Sequence, residues 1–411
     1  MKSNYRNIGD FINLVDERNK GLKVTNLVGL SISKQFIKSV ANTIGTDMEN
    51  YKIIQKNQFA CSTMQVRRDK KMPLALYTEN EPAIISQAYP VFEIYDTTKL
   101  LPEYLMMWFT RSEFDREACF HAVGGVRGSL EWEDFCGMQL PIPTLEKQQE
   151  IVSEYNTIQN RIALNNQLIS KLEETAQAIY KQWFVDFEFP LSDTEALEVT
   201  DKTKGYKSAG GKMVWCEELE KEIPEGWKVE QLGNISNCLD NKRRPLSQEE
   251  RASKKGIYPY YGAMSILDYI DDYLYDGDFL LFSEDGANII DENGFPAIQF
   301  VWGKFWLNNH SHILQGKEFI SIQFLYNALL KTNVLDIVTG AAQPKINQQN
   351  MNSIRLLRGC DVVHDKFNQL VKPSYKLFKT YKNQNQKLEE LKNLLLAKMT
   401  MVESGIETVV K

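Results

Sequence analysis

The stretch TLEKQQEIVSEYNTIQNRIALNNQLISKLEETAQAIYKQWF, residues 144–184, determines how the rest of the sequence is interpreted. It contains no proline or glycine, and Pro141 and Pro143 stand just before it, where a helix start tolerates them. Apolar residues recur in two rows of seven-residue spacing, with a polar interruption in the first: Ile151, Ile158, Asn165, Leu172 and Ile179; and Tyr155, Ile162, Ile169, Ala176 and Trp183. The pattern predicts one helix, roughly 60 Å long, with a coiled-coil seam.

A second segment near the end of the sequence repeats this pattern. KLEE occurs at positions 171–174 and again at 387–390, and we call the shift between these two copies the repeat offset. The rows around the second copy are Phe367, Ser374, Tyr381, Leu388 and Leu395; and Val371, Phe378, Asn385, Lys392 and Met399. We expect the two helices to pair as an antiparallel coiled coil, whose register Asn165 and Asn385 would help to fix. The alternative is that each helix packs on its own globular segment.

A globular segment with predicted strands and helices precedes each long helix. Both segments end with a helix, a Gly-rich turn and a final strand. The Gly-rich turn and the final strand lie in AVGGVRGSLEWEDFCGMQLPIP (122–143) in the first segment and in VTGAAQPKINQQNMNSIRLLRG (338–359) in the second. The sequence therefore predicts an α/β or α+β fold with two globular domains and an internal pseudo-two-fold repeat. The predicted divisions are domains at 1–143 and 223–359, helices at 144–187 and 360–402, a linker at 188–222 and a tail at 403–411.

Composition is typical of a soluble globular protein, with 43% hydrophobic and 25% charged residues among 411. The N-terminus lacks the apolar core of a signal peptide, and no apolar run approaches a membrane span, so we expect a cytoplasmic protein. The six cysteines form no CxxC pair and are expected to be free thiols.

The net charge of −6 is unevenly distributed. Residues 144–222 carry 9 basic and 15 acidic side chains, whereas other parts contain local basic clusters. A DNA-binding protein needs one basic face and does not need a positive net charge over the whole chain. Each cluster can also be a solvated loop without a ligand. The clusters are Arg67, Arg68, Lys70 and Lys71; Lys242, Arg243 and Arg244; and Arg251, Lys254 and Lys255.

Motifs for chemistry are missing from the sequence. GYKSAGGKM, which ends near Lys212, has the wrong spacing for a phosphate-binding loop, and there is no GxGxxG. No Pro-Pro dipeptide is present, although an amino-methyltransferase loop would need one. His310 and His312 share a strand face without a ligand motif, so we expect no metal site. The acidic residues of SEDGANIIDENG (283–294) are interpreted as turn residues, and the chain is expected to be non-catalytic.

Several long segments resemble the specificity subunits of type I restriction–modification enzymes. PIPTLEKQQEIVSEYNTIQNRIALNNQLISKLEETAQAIYKQWFVDFEF is similar to their central conserved region, and YKSAGGKMVWCEELEKEIPEGWKVEQLG to the entry of their second recognition domain. NKRRPLS, YPYYGA, SEDGANI, WLNNHSHIL and TGAAQPKIN also resemble recurring segments of that domain. The resemblance covers essentially the whole chain in order, and it is weakest in residues 1–140.

The resemblance implies a mechanism for the chain. Two target recognition domains would each read half of an asymmetric bipartite site in double-stranded DNA, and the helices would set the unread spacer between the halves. Two methyltransferase subunits would dock on the helices, and restriction–translocase subunits would join them. The S-adenosylmethionine, ATP and Mg²⁺ sites would belong to those partners, so this chain would carry no cofactor.

Candidate contact residues follow from the chemistry of DNA recognition and from repeat position. In the second domain they are Lys242, Arg243, Arg244, Tyr260, Tyr261, Asn288, Asn308, Asn309, His310, Gln343 and Lys345. In the first domain they are Gln65, Arg67, Arg68, Arg127 and Ser129. The candidates for partner docking are Tyr180, Trp183, Phe184 and Phe187, which could instead pack on the adjacent domain.

Three other functions remain open at this stage. A stand-alone, two-headed DNA-binding protein outside restriction would share the architecture but would not bind a methyltransferase subunit. A nuclease or methyltransferase would need the motifs that are missing. A purely structural coiled-coil scaffold would leave the two globular domains without a role.

Overall fold

The structure, a computed structural model, describes residues 5–39, 45–124, 128–191, 204–286, 288–340 and 343–400. The chain divides into two compact units, and a large hydrophobic cluster lies within each. The first unit comprises Met1–Leu164 and Gln384–Lys411, and the second comprises Asn165–Asn383. Both contain strands and helices, so the predicted mixed class, with two globular domains and long helices, is confirmed.

The described residues of the first unit form ten short strands: β1 Tyr5–Asn7, β2 Ile12–Val15, β3 Val28–Leu30, β4 Phe36–Lys38, β5 Lys52–Ile54, β6 Gln58–Cys61, β7 Leu74–Leu76, β8 Ala83–Ile85, β9 Val91–Ile94 and β10 Gln139–Pro141. Four of them form an antiparallel sheet in the order β2-β9-β6-β7. The others form antiparallel pairs, β1-β10, β3-β4 and β5-β8. The β1-β10 pair joins the start of the chain to the strand that precedes the first long helix.

Helices of the first unit are α1 Val66–Asp69, α2 Pro102–Thr110, α3 Ser112–His121, α4 Trp132–Gly137 and the first part of α5 Leu145–Tyr180. Proline at the first position of α2 suits a helix start, because its fixed φ is helical and it has no N–H to leave unpaired. The fully buried rings of Phe92 in β9, Phe109 in α2 and Phe135 in α4 lie 5.6–6.5 Å apart between centroids. This contact packs α2 and α4 on the sheet and anchors both sides of the segment that contains the Gly-rich turn.

In the part of the second unit that the structure describes there are also ten strands: β11 Met213–Cys216, β12 Lys221–Pro224, β13 Lys228–Gln231, β14 Ser236–Cys238, β15 Lys255–Tyr261, β16 Ile266–Ile270, β17 Tyr275–Ser283, β18 Ile298–Leu307, β19 Ser311–Gly316 and β20 Arg355–Arg358. Six form a sheet in the order β14-β19-β17-β18-β15-β16, in which only β15 and β18 run parallel. The pairs β11-β12 and β13-β20 are antiparallel.

The remaining helices are α6 Leu232–Ile235, α7 Gln248–Ser253, α8 Ile322–Leu329, α9 Gln348–Asn352 and α10 Asp361–Lys398. The side chain of Ser321 caps α8 by accepting a hydrogen bond from the backbone N–H of Phe324. Short 3-10 turns occur at Ile8–Asp10, Met48–Asn50, Asp240–Lys242 and Leu335–Ile337. Part of segment 188–222, predicted as a linker, is structured, because it contains the hairpin β11-β12 and the ring of Phe189 stacked on Trp227.

The two long helices, α5 and α10, pack together within each unit. In the first unit, Ile151 of α5 shares a hydrophobic cluster with Leu396 and with Met399, just after α10. In the second unit, Ile169 and Ala176 of α5 share a cluster with residues 363–378 of α10. The start of one helix thus packs with the end of the other, as antiparallel pairing requires. Pro373 lies inside helix α10, which runs without interruption from Asp361 to Lys398.

The internal repeat predicted from the two KLEE copies is confirmed, because equivalent elements are separated by the repeat offset. Helices α4 and α9 begin at Trp132 and Gln348, and strands β10 and β20 begin at Gln139 and Arg355. The long helices begin at 145 and 361. No helix among the described residues is both long enough and apolar enough to cross a membrane.

Candidate nucleic-acid interface

A Gly-rich turn in each unit is held against a second loop in the same way. In the first unit, Val123 and Ser129 form an antiparallel bridge, and in the second, Thr339 and Lys345 form one. The repeat offset relates these two bridges, and it also relates Gly124 to Gly340, whose φ angles of 104° and 85° lie in the region that favours glycine. Each turn also contacts a second loop, which follows β6 in the first unit and β17 in the second. The turn together with this second loop is called a paired turn below.

The second loop of each paired turn is fixed by an equivalent hydrogen bond. The N–H of Leu130 donates to the carbonyl oxygen of Thr63 at 2.9 Å, and the N–H of Ile346 donates to that of Glu284 at 2.9 Å. Thr63 follows strand β6 and Glu284 follows strand β17. The paired turn therefore brings the loop after a central strand next to the Gly-rich turn, which explains why the predicted candidates of each unit cluster.

Further loops join the paired turn in the second unit. The N–H of Glu284 donates to the carbonyl oxygen of His310 at 2.9 Å, and the hydroxyl of Ser311 donates to that of Ala263 at 2.6 Å. Arg243 reaches the carbonyl oxygen of Ser311 at 2.8 Å. Loops from four parts of the unit are thus tied to one another, and candidates that are far apart in sequence lie in one region.

Five charged or titratable side chains form ion pairs or hydrogen bonds where these loops meet, and Lys345 is the exposed member. They are Asp240, Arg243, Glu284, His312 and Lys345, which we call the charge cluster. The Arg243 guanidinium donates to Glu284 at 2.7 Å and lies 3.0 Å from Asp240, while the Lys345 ammonium lies 3.1 Å from Glu284. Burial alone would raise the pKa of the carboxyl groups of Asp240 and Glu284. A hydrogen bond from His312 to Asp240, a hydrogen bond from Arg243 to Glu284 and the neighbouring positive charges outweigh burial, so both pKa values are lowered. Both carboxylates are therefore ionised at neutral pH.

His312 is positioned by both of its ring nitrogens. Nδ1 lies 2.5 Å from a carboxylate oxygen of Asp240, and Nε2 lies 2.9 Å from the carbonyl oxygen of Ile346. Asp240, His312 and Cys238 stand close enough together to suggest a metal site. Both imidazole nitrogens are occupied by oxygen acceptors, however, and burial raises the pKa of the Cys238 thiol to about 12, so no thiolate is ready to bind a cation. The donors fit a hydrogen-bonded positioning cluster better than a metal site.

The exposed members of the predicted set are free to meet a ligand. They lie on the same loops as members of the charge cluster, and they carry the ammonium, guanidinium and amide groups that suit phosphates and base edges. They are Lys242, Arg244, Asn288, Asn309 and Gln343. His310 is also exposed, but its Nδ1 is 2.7 Å from Asp285.

Five residues predicted to contact DNA in the second unit have structural contacts. Arg243 and Lys345 belong to the charge cluster, and Asn308 is 5% exposed and accepts a hydrogen bond from the N–H of His310. Tyr260 is 1% exposed, and its hydroxyl accepts from the N–H of Leu246 at 2.9 Å. Tyr261 packs on the Phe305 ring, and burial raises its pKa to about 12. The assignments of Tyr260 and Asn308 are corrected because both side chains are buried by contacts that sequence alone did not reveal. DNA contact by Arg243, Tyr261 and the exposed Lys345 stays a prediction.

In the first unit, the described candidates also meet at the paired turn. Gln65 has a left-handed φ of 63° just before α1, and Arg68 pairs with Asp69 on the surface. Arg67 turns back and donates to the carbonyl oxygen of Gly124 at 3.0 Å, so it resembles Arg243 in bracing its turn. Ser129 contributes the bridge to the turn, and Arg127 lies outside the described residues.

The aromatic residues predicted for partner docking are part of the second unit's core. Trp183, Phe184 and Phe187 are at most 5% exposed. Phe184 packs edge-on against Phe324 at 4.9 Å between centroids, and Tyr180 stacks on Phe184 at 5.3 Å. The expectation that this set faces a partner is therefore corrected, since contacts with distant parts of this chain already bury it.

Sequence reasoning missed the positioning residues. Asp240 and His312 were not candidates for DNA contact, and Glu284 was interpreted only as an acidic turn residue. The available signal was the order of charges along the chain: an acidic residue just before NKRRPLS, another at the start of SEDGANI and a histidine in WLNNHSHIL. Only the fold shows that these three segments meet.

Comparison with known proteins gives a consistent result. A family model described as the type I restriction modification DNA specificity domain matches residues 4–174 and 224–356. A putative type I restriction enzyme specificity subunit from Haemophilus influenzae is 37% identical over 138 residues, 33% of this chain and 34% of that protein. The match therefore spans about a third of that relative. The specificity subunit of the type I restriction enzyme MjaIX from Methanocaldococcus jannaschii is 23% identical over 330 residues, 75% of this chain and 70% of that protein.

A solved structure supports the fold. The crystal structure of the S subunit of a type I restriction–modification system from M. genitalium aligns with a TM-score of 0.55 and 16% identity, covering 96% of this chain and 95% of that one. The family match spans more than half of the chain and includes the paired-turn loops of both units. The chain therefore belongs to the family of type I restriction–modification DNA specificity domains.

Proposed function

We propose that this chain reads a bipartite, asymmetric target in double-stranded DNA, with one half-site read by each paired turn. The observation that carries the proposal is the duplication of the paired turn at a fixed offset, with exposed basic and amide side chains around the copy in the second unit. The same scaffold carries different side chains in the two units. Different half-sites, and hence an asymmetric target, follow from that difference.

The different chemical groups in the second unit support this function. Lys242 and Arg244 would contact phosphates, while Asn288, Asn309 and Gln343 have the donor and acceptor groups to read base edges. The charge cluster would hold the loops in place before DNA arrives. Preorganisation of this kind lowers the entropy lost on binding.

The chemistry in this proposal belongs to partner subunits. We infer that the chain is non-catalytic and recruits two methyltransferase subunits and restriction–translocase subunits to the DNA. Sites for S-adenosylmethionine, ATP and Mg²⁺ would lie on those partners. The competing function, a stand-alone DNA-binding protein outside restriction, predicts no stable complex with a methyltransferase subunit.

Methylome mapping tests the proposal directly. Cells expressing this chain with its cognate methyltransferase subunit should acquire methylation at one two-part motif with a fixed spacer, and the two proteins should co-purify. The double variant Gln343→Ala and Asn288→Ala should relax the sequence requirement in one half only, because both residues lie in the second unit. Lys304→Gln, an exposed change on β18, serves as the matched control. Absence of a bipartite motif, or relaxation in both halves, would contradict the proposal.

A further inference from the structure

Exposed apolar side chains border the paired turn of the first unit. Met64 follows Thr63 on the loop after β6 and is 47% exposed, and Val123 opens the Gly-rich turn and is 58% exposed. Phe120, in the last turn of α3, is 81% exposed. A phenylalanine this exposed gains little from folding, so its place beside the candidate interface calls for another explanation.

The equivalent positions of the second unit are polar. Thr63 corresponds to Glu284 by its hydrogen bond, so Met64 corresponds to Asp285. The repeat offset places Val123 opposite Thr339 and Phe120 opposite Asp336. Apolar side chains at these three positions are therefore specific to the first unit.

Basic residues beside these apolar side chains favour a nucleic acid as the occupant. Segment 65–71, which follows Met64, carries four basic side chains and one acidic, a net charge of +3. Its helix α1 packs against α3, the helix that carries Phe120. A surface that combines apolar groups with positive charge and continues the candidate interface suits DNA, because phosphates and base edges lie side by side in a groove.

We propose that Met64, Phe120 and Val123 form an apolar base-contact surface that recognises the C5-methyl group of thymine in the half-site read by the first unit. In unmethylated DNA, thymine supplies the only methyl group on the base-pair edges of the major groove, and phenylalanine is among the side chains that contact it. The second unit, with aspartate and threonine at these positions, reads its half-site through hydrogen bonds. This inference rests on the proposed function and extends it to the kind of base that is read.

The test replaces thymine by deoxyuridine, which lacks only the methyl group. Once the target is mapped, each thymine of both half-sites is replaced in turn, and binding of the complex with its methyltransferase subunit is measured at fixed salt. For the unmodified chain, at least one replacement should weaken binding about fourfold, the effect of losing one buried CH₂-sized group. For Phe120→Ala, the difference in binding between thymine and deoxyuridine duplexes at that position should become smaller.

Controls separate the possible failures. Leu14→Ala removes an apolar side chain of the same unit that is 55% exposed and not part of the paired turn, and it should keep the methyl sensitivity. The triple variant Met64→Gln, Phe120→Ser and Val123→Thr should abolish any sensitivity left in Phe120→Ala, and thermal unfolding should show that both variants fold. Sensitivity that survives the triple variant, or a target without methyl-sensitive thymines, overturns the inference and leaves the proposed function intact. If the unmodified complex binds no bipartite DNA, the proposed function itself fails.

Discussion

Acidification should destabilise the second unit through one buried histidine. His364 in α10 is fully buried, and its ring lies 4.5 Å from that of Phe324 and 5.1 Å from that of Phe184, between centroids. Within the described part of the chain, neither ring nitrogen has a hydrogen-bond partner. Burial, with a smaller contribution from the charge of Arg358, lowers the pKa of His364 from 6.5 to about 4.

The sign of the effect follows from proton binding. Between pH 6.5 and pH 4, the unfolded chain binds a proton at His364 and the folded chain does not, so the free energy of unfolding falls as the pH falls. The contribution is fully present above pH 6.5. Lowering the pH from 7.5 to 5 should remove about 2 kcal/mol of stability through this residue alone.

The assay compares urea unfolding at pH 7.5 and pH 5 for the unmodified chain and for His364→Leu. The variant should lose about 2 kcal/mol less between the two pH values, and it should be more stable at pH 7.5 by about 1 kcal/mol because no unpaired nitrogens are buried. Phe367→Leu, in the same cluster, is the matched control, since it should lower stability by about 1 kcal/mol equally at both pH values. An identical pH dependence in His364→Leu and the unmodified chain would refute the reasoning.

Three further predictions concern the interface and the long helices. Arg244→Ala and Lys242→Gln should each weaken DNA binding and reduce the slope of log affinity against log salt concentration by about 1. Arg243→Gln should weaken binding with this slope unchanged, because its guanidinium holds loops and not phosphates. Equal slopes for all three variants would contradict the assignment of Lys242 and Arg244 to phosphates and of Arg243 to the loops. Gly340→Ala should lower the free energy of unfolding by about 1–2 kcal/mol in thermal unfolding, since φ is 85° there and a Cβ would lie 2.4 Å from the carbonyl oxygen of Gln343. The control Gly137→Ala should leave stability unchanged, because a Cβ at that position would have open space around it. Deleting one heptad from each long helix removes about 10 Å of helix and should shorten the unread spacer by about three base pairs in methylome mapping; an unaltered spacer would refute the role of the helices.

Elements governed by local periodicity were predictable from the sequence. The heptad rows in 144–184 predicted a helix that the structure places at Leu145–Tyr180, and the two copies of KLEE predicted the spacing between the two long helices. The heptad rows depend on residues three to seven positions apart and the repeat on two identical tetrapeptides, and both patterns are visible without knowledge of the fold. The Gly-rich turns were predictable for the same reason, because the need for positive φ selects glycine at one position.

Side-chain environments that depend on distant segments were not predictable. Arg243 was expected on the DNA, yet its partners Glu284 and Ser311 come from loops 41 and 68 positions further along the chain, and no local pattern shows that these loops meet. Trp183 and Phe184 look exposed at a helix end until Phe324 and Phe367 are brought against them. Exposure can be assigned only when the tertiary contacts are known.

The first unit is discontinuous in sequence, and this has a consequence for biosynthesis. Leu396 and Met399 contribute to its hydrophobic cluster although the whole of the second unit, a single uninterrupted segment, separates them from the rest of the first. During translation, the second unit can complete its core while the first still waits for Leu396 and Met399 to leave the ribosome. A truncation that removes Leu396 and Met399 would therefore damage the part of the protein that was synthesised earliest.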